Sequence, residues 1–471
     1  MSRLVNVSNR VALPGSRADG GLAVGLLAAM RASGGLWFGW SGATTPDNAA
    51  APPAPSLQQR SNVCFATIPL PEELLGLYYN GFANGTLWPL FHYFLDNFHY
   101  QQEQYAAYRR VNGLFASSLQ PLLRPDDLVW VHDYHLMPLG EELRTRGVRT
   151  PIGFFLHIPF PHFEVLRALP VYRELLRQLL AYDLLGFQTE SDRRAFLEAT
   201  RAVGGTRIDA DGMIFTQGRR VSTGVFPIGV DAQAIAHSAS RSADSSSVRD
   251  ITHSLQGRRL IIGVDRLDYS KGLLERFDAY QRFLEDFPQY QGAVTYLQIA
   301  PLGRQNVKAY TRIRSALEQS AGRTNGRFAN VDWTPIRYLN RNLPHAVLLG
   351  FLRLAQVCLV TPLRDGMNLV AKEFIAAQDP ADPGVLILSD RAGAAGELAD
   401  ALLVNPYDIV GIATALKYAL DMPLSERRTR YEKLHRSVST RNVHAWWQGF
   451  VHALQVATAE PAARGAAAAG R

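Results

Sequence analysis

Cysteine is nearly absent from this sequence of 471 residues, which holds only Cys64 and Cys358. The two lie far apart, each inside an apolar stretch. Neither a disulfide framework nor a cysteine-ligated zinc site is therefore expected. A reducing cytoplasm is the predicted setting.

Charged residues are also scarce, at 19% of the chain, while 47% of the residues are hydrophobic. That balance argues against disorder and coiled coil and favours large sheets buried on both faces. The net charge of +7 favours anionic partners without distinguishing polyanions from small phosphorylated molecules. Because no long run of Lys or Arg accompanies it, we expect no nucleic-acid partner.

Long hydrophobic runs are missing as well. The most apolar window, 348–363, contains Arg353 and Gln356 and is shorter than the roughly 20 residues that a spanning helix needs. The N-terminal residues read as a strand with polar interruptions rather than as an export signal. We expect a soluble protein without a membrane partner.

Short apolar runs that alternate with amphipathic helices are abundant in both halves of the chain. This alternation predicts an α/β protein with two doubly wound parallel sheets. A change in composition after Asp231 marks the boundary between them. The predicted divisions are an N-terminal domain at 1–230, a C-terminal domain at 231–440, a helix at 441–460 that packs back on the first domain, and a disordered tail at 461–471.

The stretch 363–373 combines a strand end, a glycine turn and a helix start. Unpaired N–H groups and the helix dipole make such a start a natural phosphate site. Glu373 falls one turn into the helix, where its carboxylate can accept hydrogen bonds from a ribose diol, and Asp365 is placed to face a sugar. The alternative is an ordinary βα unit with Asp365 as its N-cap.

Cations follow two other strands of the second half. Arg266 and Lys271 share one strand-to-helix loop, where they predict a clamp for a diphosphate. The alternative is a set of ion pairs with Asp265 and Asp268. Arg304 follows a further strand end and would join the same sheet edge.

Polar side chains follow strands of the first half too. Asp133 and His157 stand where ligands bind in open parallel sheets, beyond the carboxyl ends of strands. The equal alternative for His157 is a core imidazole. No metal is predicted, since the spacing of the histidines offers no common helical face.

Taken together, these stretches resemble the trehalose-6-phosphate synthases, which are retaining glucosyltransferases of the GT-B architecture, and above all their single-domain bacterial members. The motifs that carry the resemblance are Val7-Ser8-Asn9-Arg10, Gly20-Gly21-Leu22, Trp37-Phe38-Gly39-Trp40, Leu87-Trp88-Pro89, the stretch from Trp130 to His135, the stretch from Phe155 to Pro161, the stretch from Arg266 to Gly272 and the stretch from Leu363 to Glu373.

The resemblance implies a fold and a reaction. The fold would be two Rossmann-like domains facing a central cleft. The reaction would move glucose from UDP-glucose to glucose 6-phosphate, with α,α-trehalose 6-phosphate and UDP as products. No cofactor would be required, because UDP-glucose is a substrate, and a homo-oligomer remains an open alternative to a monomer.

The resemblance also assigns roles to residues. Asp133, His157, Arg266, Lys271 and Asp365 would be catalytic. Donor ligands would be Gly21, His157, Arg266, Lys271, Asp365, Gly366, Met367, Asn368, Leu369, Val370 and Glu373, and acceptor ligands would be Arg10, Trp40, Tyr79, Trp88, Asp133 and Arg304.

The sequence departs from the family's pattern at two places. The loop 9–20 is short, and Leu343-Pro344 replaces an aromatic residue near the nucleotide base. Two rival functions stay open: a sister transferase with another acceptor, such as glycerol 3-phosphate, and a non-catalytic paralogue that binds sugar phosphates.

Overall fold

The structure, a computed structural model, describes residues 2–13, 21–46, 54–216, 218–301 and 308–459. The chain divides into two compact units. Unit 1 comprises Met1–Pro227 and Val443–Arg471, and unit 2 comprises Ile228–Asn442. The chain therefore leaves unit 1 once and returns to it with its last helix.

Most strands of the described residues are rich in aliphatic and aromatic side chains, as buried parallel strands require. They are β1 (Leu4–Arg10), β2 (Gly35–Thr45), β3 (Ser56–Arg60), β4 (Val63–Pro71), β5 (Leu128–His132), β6 (Ile152–Phe155), β7 (Leu184–Phe187), β8 (Arg207–Ile208), β9 (Ile214–Thr216), β10 (Arg219–Val225), β11 (Arg259–Val264), β12 (Val294–Ile299), β13 (Ile336–Leu339), β14 (Val357–Val360), β15 (Val385–Ser389) and β16 (Leu402–Val404).

Helices connect most of these strands within the described residues. They are α1 (Gly21–Ser33), α2 (Glu72–Leu75), α3 (Trp88–Phe91), α4 (Gln102–Leu119), α5 (Leu139–Thr145), α6 (Phe163–Leu166), α7 (Tyr172–Leu179), α8 (Glu190–Val203), α9 (Ala232–Ser242), α10 (Ser246–Leu255), α11 (Leu273–Asp286), α12 (Lys308–Phe328), α13 (His345–Leu354), α14 (Leu369–Ala377), α15 (Ile409–Asp421), α16 (Leu424–Thr440) and α17 (Val443–Thr458). No helix in these ranges is both long and apolar enough to cross a membrane.

Unit 1 is built on a sheet in the order β3-β4-β2-β1-β5-β6-β7-β10-β9-β8. The strands from β4 to β10 in this order are parallel, and the outer pairs are antiparallel. The order reverses between β1 and β5, which is the switch point where such sheets bind ligands. Residues that follow β1 and β5 are therefore the ones placed for binding.

Unit 2 contains a parallel six-stranded sheet in the order β13-β12-β11-β14-β15-β16. This is the Rossmann order, with its switch point between β11 and β14. The predicted α/β class with two Rossmann-like parallel sheets is thus confirmed. The sequence pattern had placed the strands but could not order them.

The C-terminal helix α17 packs on the sheet of unit 1. Phe450 is fully buried, and its ring stacks on Trp130 with centroids 4.5 Å apart. Gly153 and Gly186 make room for that ring, since a Cβ on either would lie 2.7 Å from it. Glycine in two adjacent central strands is therefore explained by close approach.

Residues 76–87 form a π-helix, although the glycines and asparagines in this segment favour turns. Tyr78, Phe82 and Leu87 are fully buried, and this packing outweighs the turn preference of the glycines and asparagines. π-Helical turns are rare and frequently occur at functional sites. Tyr79 lies on this segment.

Candidate active site

The loop after β11 is fixed by side-chain hydrogen bonds. Asp268 Oδ1 accepts from the Ser270 backbone N at 3.0 Å and from Ser270 Oγ at 2.9 Å, while its Oδ2 accepts from Tyr310 OH at 2.9 Å. Gly272 then adopts φ +63°, and a Cβ there would meet the Thr361 carbonyl oxygen at 2.2 Å. The loop is therefore held before any ligand arrives.

Lys271 is paired with Asp365 across the switch point of unit 2. Its Nζ lies 2.5 Å from Asp365 Oδ2, and both side chains are almost buried, at 11% and 13% exposure. Asp268 and Asp265, the partners that the sequence suggested, are engaged elsewhere, the latter with Arg276. Arg266 is exposed on the same loop.

The turn before α14 is organised around Asp365. Asn368 Nδ2 donates to Asp365 Oδ2 at 3.1 Å, and Asn368 Oδ1 caps α14 by accepting from Ala371 N. Asn368 has φ +78°, a conformation that costs free energy in a residue other than glycine. The Met367 carbonyl is held by Ala394 N at 2.8 Å. The turn 366–368 is thus rigid and presents the start of α14.

Glu373 lies one turn into α14, with its carboxylate Oε1 3.3 Å from His345 Nε2. The hydrogen bond to this carboxylate raises the pKa of His345 above its usual value, and burial opposes the shift. His345 begins α13, directly after the Leu343-Pro344 pair. A titratable partner for Glu373 was not found in the sequence.

Arg276 is a buried residue that the sequence did not reveal as part of the site. Its guanidinium is fully buried and donates to Asp265 at 2.7 Å, Gln298 at 3.0 Å, Thr361 at 3.0 Å and the Lys271 carbonyl at 3.2 Å. It therefore ties the carboxyl ends of β11, β12 and β14 together under the Lys271 loop. The signal was present as an arginine on the apolar face of α11.

In unit 1, Asp133 and His157 lie side by side beyond β5 and β6. Asp133 has φ +74°, outside the range favoured by a non-glycine residue. Its Oδ1 accepts from the His157 backbone N at 3.2 Å. Strain of this kind concentrates at functional sites.

The His157 ring is held by two neighbours. Its Nε2 lies 3.2 Å from His132 Nδ1, and its Nδ1 lies 3.4 Å from Gln188 Nε2. Loss of hydration lowers the pKa of His157 to about 3, so the ring is neutral at physiological pH. Neither Gln188 nor His132 was assigned a role from the sequence.

Aromatic rings extend this region toward the end of β1. The Arg10 guanidinium stands 5.6 Å from the centre of the Trp40 ring, which is 6.4 Å from that of Tyr79. Tyr79 stacks on His135 at 5.6 Å. The predicted acceptor residues Arg10, Trp40 and Tyr79 are thus neighbours in space.

Three further predicted ligands are Trp88, Gly21 and Arg304. Trp88 is buried and stacks on His92 at 4.0 Å. Gly21 is the first residue of α1. Arg304 and most of the 9–20 loop lie outside the described residues. In the ranges that the structure covers, no cluster of three or more His, Cys, Asp or Glu side chains is arranged to hold a metal ion.

Comparison with protein families places almost the whole chain in one of them. Residues 5–456 match the sequence model of glycosyltransferase family 20. A trehalose-6-phosphate synthase from Klebsiella pneumoniae is 50% identical over 460 residues, which cover 97% of this chain and 95% of that protein.

Solved structures agree with the sequence match. A UDP-forming α,α-trehalose-phosphate synthase from Burkholderia vietnamiensis has 50% identity and a TM-score of 0.94, covering 98% of both chains. A Burkholderia xenovorans enzyme in complex with glucose 6-phosphate has 48% identity and a TM-score of 0.93, covering 96% of this chain and all of the other. An E. coli protein bound with UDP-2-fluoro glucose has 47% identity and a TM-score of 0.91, covering 98% of this chain and all of the other.

Proposed function

Because the chain belongs to glycosyltransferase family 20, we propose that the residues at the switch points of its two sheets carry out the family's UDP-forming synthesis. The enzyme transfers glucose from UDP-glucose to glucose 6-phosphate with retention, and it releases α,α-trehalose 6-phosphate and UDP. The observation that carries the residue assignment is the meeting of Lys271 and Asp365 at the switch point of unit 2.

The donor diphosphate is bound by positive charge in unit 2. Arg266 and Lys271 supply two cations, and the backbone N–H groups from Gly366 to Val370 at the start of α14 supply a partial positive charge. Charge stabilisation of the leaving diphosphate is the main requirement of this reaction. We therefore propose that no cofactor is required.

The rest of the donor is bound by carboxylates. Asp365 accepts a hydrogen bond from a hydroxyl of the donor glucose, with the backbone of Met367, Asn368 and Leu369 beside it. Glu373 accepts from the ribose diol. The support for this role is its place one turn into α14, where its carboxylate lies 3.3 Å from His345 Nε2 and its side chain is 12% exposed.

The acceptor is bound by the first unit and by Arg304. Arg10 and Tyr79 meet the phosphate of glucose 6-phosphate, and Arg304 completes its charge. Trp40, Trp88 and Asp133 surround the hexose. The support for this set is the proximity of Arg10, Trp40 and Tyr79 and the strained backbone of Asp133.

The reaction proceeds by attack on the same face as the leaving group. The anomeric hydroxyl oxygen of glucose 6-phosphate bonds to C1 of the donor glucose while the bond from C1 to the phosphate oxygen breaks. The hydroxyl proton passes to the departing phosphate. His157, with a pKa of about 3, is neutral and positions the glucose without carrying this proton.

The substrates are small molecules, and the net charge of +7 suits their phosphates. We propose a cytoplasmic enzyme with no nucleic-acid or membrane partner. A homo-oligomer is compatible with this function.

Product analysis tests the proposal. The protein is incubated with UDP-glucose and glucose 6-phosphate, and ³¹P NMR follows UDP and the disaccharide phosphate. Glycerol 3-phosphate as acceptor and GDP-glucose as donor serve as controls. Release of UDP with a non-reducing disaccharide phosphate is expected, and no turnover with any nucleotide-glucose would overturn the assignment.

A further inference from the structure

Four side chains, which lie in or just after four neighbouring strands, form one hydrogen-bonded row in unit 1. His132 Nε2 lies 3.1 Å from Asn6 Oδ1, His132 Nδ1 lies 3.2 Å from His157 Nε2, and His157 Nδ1 lies 3.4 Å from Gln188 Nε2. Asn6 and His132 are fully buried, and Gln188 is 2% exposed. Each imidazole nitrogen faces one partner. The donor or acceptor at one end of the row therefore fixes which atom donates in every hydrogen bond along it.

Asn6 stands at one end of the row, and the sulfur of Met30 fixes the orientation of its side-chain amide. The Asn6 amide nitrogen points at Met30 Sδ, which is also buried. A thioether can accept a hydrogen bond but has no hydrogen to donate. The amide nitrogen therefore belongs on the Met30 side, and the amide oxygen faces His132.

An amide oxygen requires a donor, so the proton of His132 sits on Nε2. Burial lowers the pKa of His132 well below its usual value, which leaves the ring neutral and its Nδ1 an acceptor. His157 Nε2 must then carry a hydrogen to donate to it. His157 Nδ1 is left with a lone pair, facing the amide nitrogen of Gln188.

We propose that Asn6, acting through His132, is a positioning residue that holds His157 in its Nε2–H tautomer and so presents an acceptor nitrogen at Nδ1. A sugar hydroxyl that displaces the Gln188 amide, which stands 3.4 Å from Nδ1, can donate to that nitrogen, whereas a carboxylate oxygen in its place cannot. The row thereby favours a neutral hexose over a uronic acid at this position. This consequence rests on the proposed contact of His157 with the donor glucose.

The tautomer is measured on the ligand-free protein, so it does not depend on the proposed function. Long-range ¹H–¹⁵N spectra are recorded on protein labelled at histidine, with His157 assigned from the variant His157→Gln. We expect Nε2 of His157 to bear the hydrogen and Nδ1 to be bare. A hydrogen on Nδ1, or an imidazolium, would overturn the proposal.

Two variants remove the groups that fix the tautomers in this row. Asn6→Leu deletes the acceptor, and Met30→Leu conserves volume but deletes the sulfur that orients the amide. Both should give His157 a mixture of tautomers. Asn112→Leu replaces another fully buried asparagine, in α4, and should leave the tautomer unchanged. Spectra of Asn6→Leu and Met30→Leu that match the unaltered protein would refute the role of Asn6.

Kinetics then distinguish positioning from a general structural effect. In Asn6→Leu, the loss of one oriented hydrogen bond should lower kcat/KM for UDP-glucose about tenfold, while KM for glucose 6-phosphate stays constant. An altered tautomer with unaltered kcat/KM would overturn the positioning role. Product formation by the unaltered enzyme reports on the proposed function separately.

Discussion

Lys271 Nζ donates to Asp365 Oδ2 at 2.5 Å, although the two residues are 94 positions apart in the chain. Each follows a strand that borders the switch point of unit 2. The predicted diphosphate ligand and the predicted sugar ligand are thus paired with each other before a donor binds. Under the proposed assignment, donor binding replaces this ion pair with two new contacts.

The ion pair predicts opposite effects on UDP binding and on turnover. Asp365→Asn releases Lys271 for the diphosphate, so UDP should bind about fivefold more tightly, on the scale of ~1 kcal/mol for a lost competing contact. Turnover of UDP-glucose should fall, because the sugar loses its carboxylate partner. Calorimetry with UDP and initial rates check the two halves.

Lys417→Ala is the control for this prediction, since Lys417 forms an exposed pair with Asp421 on α15. It should change neither UDP binding nor turnover. If Asp365→Asn binds UDP more weakly than the unaltered protein, the ion pair does not compete with the diphosphate.

Arg276→Met should destabilise unit 2 and weaken donor binding together. The change leaves Asp265 charged and buried without its partner, which costs about 3–5 kcal/mol. It also frees the Lys271 carbonyl from its hydrogen bond, so KM for UDP-glucose should rise. Urea denaturation and initial rates measure the two effects.

Arg282→Met is the control for this prediction. Arg282 lies on the same helix as Arg276 and forms an exposed ion pair with Asp286. The urea midpoint of this variant and its KM for UDP-glucose should match those of the unaltered protein. A destabilised Arg276→Met with normal KM would mean that Arg276 supports the fold without positioning the loop.

Stability should fall as the pH is lowered from about 6.5 toward 3. The folded protein holds the pKa of His157 at about 3, whereas an unfolded histidine titrates near 6.5. The unfolded state therefore binds more protons in this window, and the free energy of unfolding rises with pH. His132, with its lowered pKa, adds to the same trend.

The variant His157→Gln should show a smaller dependence of unfolding free energy on pH between 5 and 6.5, measured by urea denaturation. His452→Gln, at an exposed position of α17, serves as the comparison. Equal slopes for His157→Gln and the unaltered protein would contradict a neutral His157.

Phe450 and Gly153 form a size-matched pair in the contact between α17 and the sheet. Gly153→Ala places a Cβ 2.7 Å from the Phe450 ring and should cost about 1–3 kcal/mol. Combining it with Phe450→Leu should recover part of that loss, because the smaller side chain makes room. Thermal unfolding of the two single variants and the double variant gives the coupling, and additive losses would show that the two sites are independent.

Much of the fold could be predicted because its signals are local. Short apolar runs between amphipathic helices indicated the parallel α/β class, and the family resemblance was confirmed by the match over residues 5–456. Residues 76–87 escaped prediction, because burial of Tyr78 and Phe82 overrides the turn preference of the residues between them.

The loop residues of the candidate site could be predicted from the sequence, whereas the buried residues that hold these loops could not. Arg266, Lys271 and Asp365 follow strands, and the last two stand beside glycines, a pattern visible in the chain. Arg276 and Gln188 stand beside no glycine, and the partners that satisfy their buried polar groups include residues from distant parts of the chain.

The sequence by itself determined which residues leave the carboxyl ends of strands and which chemistry they bring. Only the tertiary structure decided the strand order, and with it the pairing of Lys271 with Asp365 and of His132 with His157. Pairing between strands is a contact between distant parts of the chain, and no local periodicity encodes it. The local sequence pattern therefore determines which groups are available for the site, and the packing of the sheets determines which of them are neighbours.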